Sequence, residues 1–272
     1  MEQVRRYTSK AEDVLTTISQ PLKPHIPVIA RFLIVVTFLE DAFRILFQWS
    51  EQIFYLERIR GIPWGMSQIF LAGNVIFMLV GSFFVIRKKY PEYAVGGLFM
   101  VVVAQSIGYG LWNEVNFLLR SLSVVGGLLM VLSDAFSKKK SVFADLPQLS
   151  ERDRKTYFQL AGRVLLIFLF IGFIFHGEYW SVTRVVVSLI GFVACLMVVV
   201  GLKTKWSAIF LVLFLSIFNL LINNFWSVHH ANPQRDFLKY DFFQTLSIVG
   251  GLLLLVNMGP GGISIDEKKK EY

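Results

Sequence analysis

Met66-Ser-Gln-Ile-Phe-Leu-Ala-Gly-Asn-Val-Ile-Phe-Met-Leu-Val-Gly-Ser-Phe-Phe-Val-Ile86 contains no charged side chain, and Arg87, Lys88 and Lys89 follow it at once. An apolar run of this length matches the roughly 20 residues that a helix needs to cross the hydrocarbon core of a bilayer. No water is present there to satisfy backbone N–H and C=O groups, so the run must be helical. The basic triplet marks the end that stays in the cytosol. That stretch alone points to an all-α membrane protein.

Seven further stretches follow the same pattern, at about 29–47, 93–112, 118–132, 160–175, 182–202, 206–226 and 242–258. The expectation is a polytopic protein of about eight transmembrane helices. Composition agrees: of the 272 residues, 55% are hydrophobic and 17% charged, and mean hydropathy is +0.58. Soluble domains carry about 25% charged residues, so this chain lacks the charge to solvate a surface of its size. The net charge of +8 comes from basic loops rather than from a basic, aromatic-interleaved soluble segment, which excludes nucleic acid as a partner. Residues 1–25 are polar, with no apolar core of a cleaved leader, so the first span is expected to serve as its own insertion signal. The single cysteine, Cys195, forbids an intrachain disulfide and sits in apolar text as a small hydrophobe.

Orientation follows from the basic residues. With residues 1–28 in the cytosol, alternate loops collect Arg87, Lys88 and Lys89, then Lys138, Lys139, Lys140, Arg152, Arg154 and Lys155, then Lys203 and Lys205, then Lys268, Lys269 and Lys270. The opposite side keeps Arg58, Arg60, Arg184, Arg235 and Lys239. An even number of crossings preserves this alternation and places the C-terminal tail in the cytosol.

The text also repeats. Leu122-Ser-Val-Val-Gly-Gly-Leu-Leu-Met-Val-Leu132 matches Leu246-Ser-Ile-Val-Gly-Gly-Leu-Leu-Leu-Leu-Val256, and Arg31-Phe-Leu-Ile-Val-Val matches Arg163-Val-Leu-Leu-Ile-Phe. The expected organisation is a cytosolic segment at 1–28, a first four-helix repeat at 29–132, a basic cytosolic linker at 133–159, a second four-helix repeat at 160–258 and a cytosolic tail at 259–272. Parallel repeats of this kind often hold a ligand site between the halves. The Gly-Gly pairs are expected at close helix contacts.

Charge inside apolar text marks candidate function, because each buried charge costs a few kcal/mol and must face a partner or a cavity. Glu40, Asp41 and Arg44 lie toward the non-cytosolic end of the first span. Glu40 and Arg44 are spaced to pair on one helix face, which leaves Asp41 to line a cavity. Asp236 and Asp241 enter the eighth span with Tyr240, Phe242 and Phe243, as helix-terminus acids beside an aromatic belt or as part of a ligand groove. His229 and His230 precede Pro233 and are a candidate pH sensor, set against an inert exposed pair. Serine-triad, phosphate-loop and zinc-protease patterns are absent, and no cofactor or metal is expected.

Several polar blocks set in this apolar text resemble one family. They are Phe38-Leu-Glu-Asp41, Phe47-Gln-Trp-Ser-Glu51, Asp236-Phe-Leu-Lys-Tyr-Asp-Phe-Phe-Gln-Thr245, Gly259-Pro-Gly-Gly262 and Asp266-Glu-Lys-Lys-Lys-Glu-Tyr272. From about Ala11 to Tyr272 the chain resembles the surfeit-locus-four family of endoplasmic reticulum (ER) cargo receptors. The resemblance implies a non-enzymatic protein that binds soluble secretory cargo in the ER lumen. Recognition is often through a hydrophobic–proline–hydrophobic segment at the cargo's mature N-terminus. It implies loading into COPII vesicles, retrieval from the Golgi by COPI, and Lys269 and Lys270 as a dilysine retrieval signal. A cargo N-terminus needs a carboxylate beside an apolar groove, and Glu40, Asp41, Asp241, Tyr240, Phe242 and Phe243 are the expected site. Expected partners are cargo, both coats and membrane lipid, with homo-oligomerisation left open. Two other readings stay open: a transporter or lipid scramblase, and a redox-associated protein, because the four-helix unit also looks like the DoxX-like family.

Overall fold

In a computed structural model, described for residues 24–111, 114–136, 155–166, 168, 182–229, 234–259 and 261–268, the chain is helical wherever it has regular structure. Helix α1 spans Ile26–Phe47. It leads into a short α2 (Trp49–Phe54) and a π-turn at Tyr55–Ile59. Then come α3 (Met66–Arg87), α4 (Pro91–Gly108) and α5 (Val115–Phe136). Residues 155–166 form α6. The second part holds α7 (Val182–Val200), α8 (Thr204–Ile222), α9 (Gln234–Met258) and a terminal turn, α10 (Ile265–Lys268).

Four of the described helical stretches are long and apolar enough to cross a membrane: Met66–Arg87, Phe117–Phe136, Thr204–Ser227 and Arg235–Met258. Helix α1 carries Arg31, Glu40, Asp41 and Arg44, which lowers its hydropathy although Ile34, Ala42 and Ile45 on it are fully buried. The second half of the expected fifth span lies outside the described residues. Two elements differ from the sequence expectation. Helix α9 begins at Gln234, well before the expected 242, because Gln234–Asp241 continues the helix in polar text that an apolar criterion cannot see. Helix α2 and its π-turn form in the loop after α1, where no element was expected.

Helix α9 is the hub, packed on α1, α5 and α8. The α1–α9 junction rests on Gly250: a Cβ added there would lie 2.7 Å from Ala30 O and 2.8 Å from Ile34 N. Ser247 Oγ donates to Ile34 O at 2.6 Å in the same crossing. The α5–α6 junction repeats this arrangement. A Cβ on Gly126 would lie 3.0 Å from Gly162 O, 3.2 Å from Leu166 N and 2.9 Å from Leu165 Cβ, and Ser123 Oγ donates to Leu165 O at 3.3 Å. The repeat register that aligns Arg31 with Arg163 also aligns Ala30 with Gly162 and Ile34 with Leu166. Gly127 and Gly251 face each other between the two junctions, and a Cβ on Gly251 would lie 3.2 Å from Gly127 Cα. Small residues permit this approach, which gives van der Waals contact where lipid supplies no hydrophobic drive between helices. Gly96 has nothing within 4 Å and serves no such contact.

Polar links tie the ends of the helices. At one end Lys88 Nζ lies 2.6 Å from Asp134 Oδ2, and Arg31 Nη1 lies 3.9 Å from the same oxygen. At that same end the chain after α9 folds back over the bundle. Asp266 accepts from Lys203 N and Thr204 N, both at 2.8 Å, and so caps α8 from outside it. Arg163, 1% exposed, donates through Nη2 to Ile263 O at 2.6 Å. Gln159 Nε2 donates to Gly259 O at 2.6 Å.

Candidate functional site

The opposite end gathers the charged side chains of α1 with those of α9. Glu40, 7% exposed, lies with Oε1 3.0 Å from Lys239 Nζ. Asp41 pairs with Arg44 and accepts from Gln105 Nε2 of α4. The expected Glu40–Arg44 pair therefore does not form. Lys239 reaches Glu40 from the first turns of α9, and Arg44 turns instead to the carboxylate one turn before it. Gln48 Nε2 donates to Asp236 Oδ2 at 3.4 Å, and Tyr109 OH donates to Gln52 Oε1 at 2.7 Å. These links tie α1, α2, α4 and α9 into one mouth.

Beneath it lies a cavity of about 30 Å³ lined by Asp41, Gln105, Tyr240 and Gln244, with Thr37, Phe38, Val102, Phe117, Ser121 and Val124. Asp41 lines a cavity as expected, and Tyr240 joins it from α9. Gln244 is 3% exposed, and its Oε1 has no hydrogen-bond partner among the described residues. Such a buried acceptor costs about 1–3 kcal/mol unless a donor reaches it. A space of that size holds a water or two, or a group as small as an ammonium.

Beside the mouth stands an aromatic cluster. Phe242 lies 5.4 Å from Phe225, 5.7 Å from Trp226 and 5.6 Å from Phe243, ring centre to ring centre, in edge-on arrangements. Trp226 is half exposed and Phe237, nearby on α9, is more so. Asp241 sits between the cavity-lining Tyr240 and the clustered Phe242, and its carbonyl accepts from Thr245 Oγ1 at 2.8 Å. Asp236 stands in the first turn of α9, where a carboxylate suits the helix dipole, whereas Asp241 lies within the helix.

All six expected residues thus lie on α1 or α9 around one end of the bundle. Gln105, Gln244, Lys239, Phe225 and Trp226 were not anticipated. Glutamines in apolar text give no signal of their own, and the partner of Glu40 comes from the far end of the chain. His230, Lys269 and Lys270 lie outside the described residues. No solved structure matches the chain.

Comparison with known proteins gives a consistent result. A Surfeit locus protein 4 homolog of Schizosaccharomyces pombe is 50% identical over 94% of this chain and 85% of its own length. The ER-derived vesicles protein ERV29 of Saccharomyces cerevisiae is 41% identical over 98% of this chain and 84% of its own. A Surfeit locus protein 4 homolog of Drosophila melanogaster is 41% identical over 98% of each chain. The model of the SURF4 family matches residues 5–272, and the chain belongs to that family.

Proposed function

We propose that this protein is a cargo receptor of ER-derived vesicles, and that the α1–α9 mouth opens to the ER lumen and receives the mature N-terminus of soluble secretory proteins. Similarity to a protein named for ER-derived vesicles supports the compartment. The observation that carries the site is the water-sized cavity where Asp41 and the unsatisfied Gln244 Oε1 meet, beside the aromatic cluster around Phe242. The cargo's α-ammonium enters the cavity, and its apolar side chains remain outside on Phe242, Phe243 and Trp226. The ammonium shares Asp41 with Arg44 and donates to Gln244. Lys239, 38% exposed at its side chain, is the cation that yields when Glu40 is needed as well.

In this reading both coats act at the other end. COPII loads the receptor, and COPI retrieves it through Lys269 and Lys270, the residues four and three places from the C-terminus. Eight crossings put that tail in the cytosol. The membrane multi-pass protein then cycles between the ER and the early Golgi.

The test is a pulldown with purified receptor and a secretory protein bearing an intact mature N-terminus. A charge-assisted hydrogen bond contributes about 1.5–3 kcal/mol. Asp41→Asn is therefore expected to weaken binding roughly 10- to 100-fold, and Asp241→Asn to weaken it in the same direction, with folding and localisation intact. Unchanged binding removes the substituted residue from the site. Measurable solute or lipid flux in receptor-containing liposomes, without cargo binding, would favour the transporter reading.

A further inference from the structure

A second concavity lies on the outer face of the second half, near the cytosolic end of the helices, and does not depend on the lumenal mouth. Leu189, Ile190, Val193 and Met197 of α7 face Trp206 and Phe210 of α8 across a cleft of about 430 Å³. That volume falls within the roughly 300–1,000 Å³ of small-ligand sites. The cleft opens outward, with Leu189 62% and Val193 50% exposed. Its only charged lining among the described residues is Lys203, at the end where the chain turns from α7 into α8.

The cleft is a departure from the internal repeat. Tyr90 and Lys203 are both left-handed residues that precede the third helix of their half, α4 and α8. Alignment on them pairs Gly81 with Ala194 and Leu98 with Leu211. A Cβ on Gly81 would lie 3.0 Å from Leu98 Cγ, so α3 and α4 meet with no space between them. Ala194 instead lines the cleft between α7 and α8.

We propose that this cleft holds one acyl chain of an anionic glycerophospholipid of the cytosolic leaflet, with its phosphate at Lys203. Apart from Lys203 and Ser207, whose hydroxyl points to Leu202 O at 3.5 Å, the wall residues are apolar, which suits a hydrocarbon chain better than a polar solute. The Lys203 main chain is fixed by its N–H bond to Asp266 at 2.8 Å, so its side chain departs from a defined point at the mouth. Trp206 beside it is a residue type that settles at the membrane–water boundary. A lysine near an anionic surface contributes about 1 kcal/mol, or roughly a fivefold preference for anionic over zwitterionic lipid.

Native mass spectrometry of the full chain tests this, with the detergent-purified protein exposed to equal amounts of phosphatidylserine and phosphatidylcholine of identical acyl chains. The expected result is one retained lipid per chain, with phosphatidylserine favoured about fivefold. Lys203→Gln is expected to equalise the two lipids without losing retention. Val193→Trp, which adds bulk at an exposed wall position rather than in the packed core, is expected to abolish retention of both while the melting temperature holds. Millimolar inorganic phosphate is expected to leave the lipid in place. Equal retention of the two lipids by the unaltered protein would overturn the proposal. So would retention undiminished by Val193→Trp, displacement by phosphate, or a lipid-free dimer that Val193→Trp breaks.

Discussion

Gly250 places main-chain atoms of α1 and α9 in contact, and there is no room for even one added carbon. A Cβ there would press on Ala30 O and Ile34 N, which are backbone atoms that cannot rotate away. Overpacking of this kind costs about 1–3 kcal/mol. Gly250→Ala is expected to lower the melting temperature of the detergent-purified protein. Gly96→Ala, with nothing within 4 Å, is expected to leave it unchanged or raise it slightly through better helix propensity. Equal melting temperatures for the two variants would show that the α1–α9 contact is not tight. The sequence shows the Gly-Gly pairs but cannot show which of them touch: Gly126, Gly127, Gly250 and Gly251 do, and Gly96 does not. Asp41 was legible as a cavity residue because a carboxylate in apolar text must be accommodated. Its Gln105 partner was not, since an uncharged glutamine in apolar text does not show whether it is exposed or buried with a partner.

At the scale of the elements, the uncharged run at 66–86 announced α3 almost to its last residue, since hydropathy and helix coincide there. The start of α9 was hidden, because its first two turns carry Arg235, Asp236, Lys239 and Asp241 and yet pair with α1 across the mouth. Helix α8 shows a third kind of dependence. Its first N–H groups are satisfied by Asp266, which arrives from beyond α9. Loss of a capping oxygen costs about 1 kcal/mol. Asp266→Ala is therefore expected to speed amide hydrogen exchange at Lys203 and Thr204 about fivefold, with exchange in α3 unaltered. Unchanged exchange at those two amides would mean that the tail does not hold the end of α8. The cap also anchors the chain at Asp266, three residues before Lys269 of the proposed retrieval signal.

Among the described residues, apart from the serine hydroxyl bonds within the helix crossings, the main polar contacts between segments gather at two ends. Arg31, Lys88 and Asp134 meet at one end, as do Asp266 and Lys203. Glu40 and Lys239, Gln48 and Asp236, and Arg60 and the Gly108 carbonyl meet at the other. Each of these contacts joins segments that the basic-residue pattern had assigned to the same side of the membrane, and none crosses. In the proposed reading, an even-numbered topology turns the Asp41 cavity toward secretory cargo and the lysine tail toward the coats. Its most direct test is glycosylation in microsomes of two tagged versions of the full chain, one tagged after His229 and one after Tyr272. Modification of the first tag and not the second is the expected result. Modification of the tag after Tyr272 would put the lysines in the lumen and contradict the receptor reading.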